Sequence, residues 1–146
     1  MSSWNSAITT GLLSLPSGRI VRGRGLGEAP PNGEAPDFGV YLLDEPPKLS
    51  WPARWVDWPD FGLPTDPDDA CSALREAWRR APTERVEVAY WGGHGRTGTA
   101  LACLAILDGL PPHLAVDYVR SKYRPAAIET PAQEDFIARL AAKTSR

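Results

Sequence analysis

Residues 86–105, VEVAYWGGHGRTGTALACLA, constrain the fold of this chain more than any other stretch. Val86 and Val88 alternate with less apolar neighbours, the period of a strand. From about Thr97 to Leu107 the sequence is apolar nearly all round, which predicts a helix buried on most sides and ended by Gly109. Between them Gly92, Gly93 and Gly95 lead into Arg96 and Thr97. Backbone N–H groups at a helix start point outward unpaired, and the helix dipole makes that end positive. Glycines let the backbone wrap tightly around an oxyanion, and an arginine adds a bidentate contact. The loop therefore reads as an anion cradle. The alternative is a plain strand-to-helix turn with an exposed arginine.

The rest of the chain suits a layered α/β domain. Strands are expected at 19–23, 38–43, 54–58 and 85–90. A helix starts at Asp66-Pro67, where a capping aspartate precedes a proline at the first helical position. Further helices are expected over 112–122 and from Thr130-Pro131 onward, the last burying Phe136, Ile137 and Leu140. Proline-rich stretches at 28–36 and 45–52 read as surface loops. Strands first and helices later, with one strand running into the buried helix, predict a small central sheet flanked by helices. With 146 residues, the chain is read as one domain, 1–146.

A net charge of −2 gives no general attraction to nucleic acid or membrane, so neither is expected as a partner. No leader-like segment and no membrane-length apolar run is read, and a cytoplasmic location is expected. Cys71 and Cys103 sit among Ala and Leu and read as core residues. With His94 and His113 as the only histidines, no metal site is expected, and no organic cofactor.

The stretch 93–98 also matches G-x-G-x-x-G, the dinucleotide-binding fingerprint, with Asp117 downstream. That aspartate falls in a predicted helix instead of at a strand end, and too little chain follows for the rest of such a fold. A different pattern fits better. The loop resembles the signature loop of the cysteine-dependent protein tyrosine and dual-specificity phosphatases: Cys, five residues, Arg, then Ser or Thr. Counting back from Arg96 over Gly95, His94, Gly93, Gly92 and Trp91 places Tyr90 in the cysteine position. WVDWPDFGLP (55–64) resembles the family's acid loop, with Asp60 as the matching acid, Trp58 beside it and Asp57 as a rival. ETPAQEDFI (129–137) resembles its glutamine loop, with Gln133 matching. Thr130-x-x-Gln133 is equally a capping box.

The resemblance implies a phosphatase-like fold. It also implies a cradle in which a thiolate attacks phosphorus, the aspartic acid protonates the leaving oxygen, and water cleaves the intermediate. Tyr90 changes that chemistry. A phenol has a reference pKa near 10, so it is mostly neutral at pH 7. Its oxygen also stands several ångströms farther from the backbone than a cysteine sulfur. Either the ring fills the cradle, or it swings out and leaves the cradle without a nucleophile. The expected site comprises Tyr90, Asp60, Arg96 and His94 as reacting groups. Trp91, Gly92, Gly93, Gly95, Thr97, Trp58 and Gln133 would contact a ligand. The plainer alternatives are packing for Trp91 and a solvent-facing loop position for His94. Two functions remain open: a repurposed, non-hydrolytic small-molecule enzyme, and a pseudophosphatase holding a phosphorylated or anionic partner. Ring side chains at positions 58, 90, 91 and 94 favour the first. Arg19, Arg22 and Arg24 form a basic strip able to guide an anion.

Overall fold

The computed structural model describes residues 2–59 and 62–144. Among these residues, five strands form one sheet in the order β1-β2-β5-β3-β4. They are β1 (Leu12–Ser14), β2 (Ile20–Gly25), β3 (Phe38–Leu43), β4 (Ala53–Asp57) and β5 (Val86–Tyr90). Only β1 runs antiparallel to its neighbour; β2, β5, β3 and β4 pair in parallel. The central strand β5 thus delivers Tyr90 to the carboxyl end of a parallel sheet, where α/β folds place their ligands.

The described residues also form four helices: α1 (Pro67–Arg80), α2 (Gly95–Leu107), α3 (Ala115–Lys122) and α4 (Pro131–Thr144), with a short 3-10 turn (Pro112–Leu114) before α3. Asp66 caps α1 by accepting from the Asp68 and Asp69 amides, and Pro67 stands in its first turn. Helix α2 is the hub. Eleven of its residues, from Gly95 to Ala105, are buried, and it packs on β2, β5 and the other three helices. Val40, Val86 and Val88 meet this helical layer in one core, with Cys71 and Cys103 among the buried residues. Burial pushes the Cys103 thiol well above its ordinary range.

The opposite face of the sheet is covered by loops, not helices. Tyr41, Leu43 and Ala89 pack there against Leu26, Leu49 and Trp51. Beneath these loops lies fully buried Glu87. It accepts from Arg22 Nε at 2.9 Å, Arg22 Nη2 at 2.6 Å and the Tyr41 hydroxyl at 2.6 Å, and Arg24 lies 3.5 Å away. Trp51 Nε1 donates to the Tyr41 hydroxyl, and the Arg22 guanidinium stacks on Trp4. The expected basic strip is therefore corrected. Arg22 and Arg24 are spent on Glu87 inside the molecule, and Arg19 pairs with Asp108 at 2.8 Å.

Candidate functional site

The turn between β5 and α2 is shaped by its glycines. Gly93 has φ +75°, a conformation L side chains avoid, and a Cβ there would meet the Gly25 amide at 2.8 Å. The β2 exit folds against the same turn. The Leu26 and Gly27 amides donate to the Tyr90 and Trp91 carbonyls at 2.8 and 3.0 Å. Tyr123 donates to the Gly93 carbonyl at 2.8 Å, and Arg124 grips Glu28 through two bonds of 3.0 and 2.9 Å. The Arg124 bond holds the Glu28 carboxyl below its usual range. Arg124 is thus a brace beside the loop.

The Tyr90 ring points into the turn, the first of the two alternatives its length allows. Its hydroxyl accepts from the Gly95 N–H at 2.9 Å and donates to Glu129 Oε1 at 3.0 Å. The His94 N–H faces the same oxygen. Burial pushes the phenol above its ordinary range; the Gly95 N–H pulls it back, and the Glu129 carboxylate adds to the rise. The Arg96 guanidinium lies over the Tyr90 ring, 4.9 Å from its centroid. Buried Arg96 donates to the Trp58 carbonyl at 2.9 Å and the Leu42 carbonyl at 3.3 Å. Thr97 is also buried and gives its hydroxyl to the Arg24 carbonyl at 3.1 Å, so it secures β2 to α2.

Among the described residues, the rings at positions 58, 90, 91 and 94 are not brought together along one wall. Trp58 is fully buried, with its indole N–H on the Gly62 carbonyl and Phe136 edge-on at 5.6 Å, so it packs the core instead of lining a wall. Trp91 turns outward and is 59% exposed. His94 precedes α2 without a side-chain cap bond, and its ring Nδ1 is buried with no partner among the described residues. Gln133 closes the capping box of α4. Its amide N–H donates to Thr130 Oγ1, and its side-chain oxygen accepts from the Glu129 and Thr130 amides at 2.7 and 3.3 Å. Asp57 accepts from the Thr65 hydroxyl at 3.0 Å, which ties the end of β4 to the residue just before the Asp66 cap of α1. Asp60 lies outside the described residues.

Sequence reasoning passed over Glu129. It stands at the start of the quoted ETPAQ stretch, but no periodicity distinguishes it from a loop residue. Its backbone is held on both sides. Ile128 before it has φ +63°, rare for a β-branched residue and costing on the order of 1–3 kcal/mol. Arg120 secures that conformation by donating to the Ala127 and Ile128 carbonyls at 2.9 and 2.7 Å, while the Ile128 amide donates to the His94 carbonyl.

An uncharacterized protein of Methanocaldococcus jannaschii is 30% identical to this chain over 151 aligned positions, spanning 81% of this chain and 91% of that protein. The chain belongs to that protein's family. A second uncharacterized protein of the same organism is 35% identical over 96 positions, covering 66% of this chain and 63% of its own length. No family model matches the sequence. Among solved structures, Tk-PTP in its active form superposes with a TM-score of 0.64 at 27% identity, over 73% of this chain and 79% of that one. PTPMT1 superposes with a TM-score of 0.58 over 75% of this chain and 78% of its own; at 16% identity it speaks for the fold alone. This family member therefore has the tyrosine and dual-specificity phosphatase fold and is a phosphatase-like protein. Among the described residues no helix is long and apolar enough to cross a membrane.

Proposed function

We propose that this phosphatase-like protein is a pseudophosphatase. It is a binding module that carries Tyr90 where the resembling family carries its thiol. It takes a ligand group into the signature loop only in exchange for its own phenol. The observation that carries this reading is the 2.9 Å bond from the Gly95 N–H to the Tyr90 hydroxyl. It uses a backbone donor that a phosphate oxygen would need. The phenol, moved above its ordinary range, stays protonated near neutral pH and is a poor nucleophile. The ligand's apparent affinity is reduced by the fraction of molecules in which Tyr90 is in place. A phosphorylated or anionic partner is one such ligand; no nucleic acid or membrane contact is part of the reading.

The test is p-nitrophenyl phosphate hydrolysis by the unmodified protein and by Arg96→Ala, from pH 5 to 9. Neither protein is expected to exceed background. Turnover by the unmodified protein that vanishes in Arg96→Ala would sink the proposal.

A second reading, a repurposed non-hydrolytic enzyme of isomerase, cyclase or lyase type, is favoured by one observation. The Tyr90 phenol lies between a backbone donor and the Glu129 carboxylate, an arrangement suited to passing a proton. Asp60, or Asp57 as its rival, is then the second acid. Tyr90→Phe separates the two readings on any ligand found by screening. The enzyme loses turnover and keeps the ligand, whereas the binding module gains affinity as its internal competitor weakens.

A further inference from the structure

We infer that Glu129 makes the signature loop selective for a group that brings its own proton, a hydroxyl or phenol, over a fully ionised oxyanion such as sulfate. The inference rests on the reading of the loop as a cradle that Tyr90 vacates. An oxygen at the place of the Tyr90 hydroxyl has the Gly95 N–H at 2.9 Å on one side and Glu129 Oε1 at 3.0 Å on the other. It must accept from the first and donate to the second. A hydroxyl does both, while an ionised oxyanion only accepts and would set oxygen against oxygen with no proton between them.

The backbone that carries this carboxylate is held in place. Glu129 Oε1 lies so close to the loop that a Cβ on Gly95 would collide with it. Its own amide is tied to Gln133 Oε1 at 2.7 Å, and the Arg120 clamp fixes the preceding residue in a conformation that a β-branched side chain resists. The positive groups nearby have other engagements. Arg124 is paired with Glu28, and Arg96 donates to the Leu42 and Trp58 carbonyls. Glu129 thus supplies the negative charge at the start of α2 that a bound phosphate supplies to an open cradle.

The side chain is exposed, so solvent screens part of its charge, and an effect of about tenfold on oxyanion affinity is expected. The test compares Tyr90→Ala with Tyr90→Ala/Glu129→Gln by calorimetric titration at low salt, with sulfate and p-cresol as probes. The single variant is expected to bind p-cresol and to bind sulfate about tenfold more weakly than the double variant. Measurable sulfate affinity that Glu129→Gln leaves unchanged overturns the inference and leaves the cradle reading standing. Sulfate binding by neither variant overturns the inference, and binding of neither probe by either variant overturns the cradle reading as well. The same comparison in a Tyr90→Ser background guards against a folding defect of the alanine variant.

Discussion

Tyr90→Phe removes one oxygen and leaves the ring over Arg96, so it isolates what the hydroxyl does. In the native protein that oxygen satisfies the Gly95 N–H at 2.9 Å, and Gly95 is itself buried. Without it the amide has lost its acceptor, and a buried unsatisfied donor costs about 1–3 kcal/mol. The lost bond to Glu129 adds little, because that carboxylate is exposed and regains water. The expected loss of stability is therefore about 2 kcal/mol, seen in urea as a lower midpoint with an unchanged slope. In a chain of this size it lowers Tm by about 4–8 °C. The alternative picture, a Tyr90 ring that merely rests against the surface, predicts a change below about 0.5 kcal/mol. A midpoint indistinguishable from the native protein would refute the claim that the phenol closes the loop.

Glu87→Gln should be far more damaging. Arg22 loses a fully buried countercharge, and breaking such a pair costs about 3–5 kcal/mol, measurable by the same urea titration. Gly93→Ala combines a positive φ with a Cβ placed 2.8 Å from the Gly25 amide; thermal unfolding should show a loss of at least about 1 kcal/mol. Alkaline pH should destabilise the fold. Burial raises the phenols of Tyr41, Tyr90 and Tyr123 above their ordinary value. The folded protein then holds these protons more tightly than the unfolded chain. The stability they contribute is intact below about pH 10 and declines above it, which circular dichroism against pH will show.

The fold was legible where local pattern and packing agree. The glycine turn, the apolar helix after it and the Asp66-Pro67 start each carry a local signal, and α1, α2 and α4 begin within two residues of their expected starts. Strand β1 was not expected: three residues, LLS, are too few to show alternation, and they become a strand only by pairing with β2. Glu87 reads locally as the polar side of a half-exposed strand. Only the tertiary structure reveals that loops carrying Trp4 and Trp51 cover that side and that Arg22 neutralises it. The inward direction of the Trp58 ring was hidden for a related reason. Its motif marks the place of a loop but not the direction of a ring, and Phe136, which holds that ring in the core, comes from a helix 78 positions later.

Tyr90, Glu129 and Ile128 each oppose a local preference, and together those departures answer one need. A bulky ring stands in a turn made of glycines, a carboxylate leans over the start of α2, and a β-branched residue takes a left-handed backbone. Helix α2 begins with no side-chain cap from His94 and no acidic residue in its first turn. Its N-terminus therefore lacks both an acceptor for its amides and a negative charge for its dipole. In an open cradle a bound oxyanion supplies both at once. Here the two roles are divided: the Tyr90 oxygen accepts from Gly95, and Glu129, positioned through strained Ile128, brings the charge. One hydrogen bond of 3.0 Å joins them. On the proposed function, a loop satisfied this way is stable without a ligand, and anything that enters it must replace a hydrogen-bonded pair belonging to the protein.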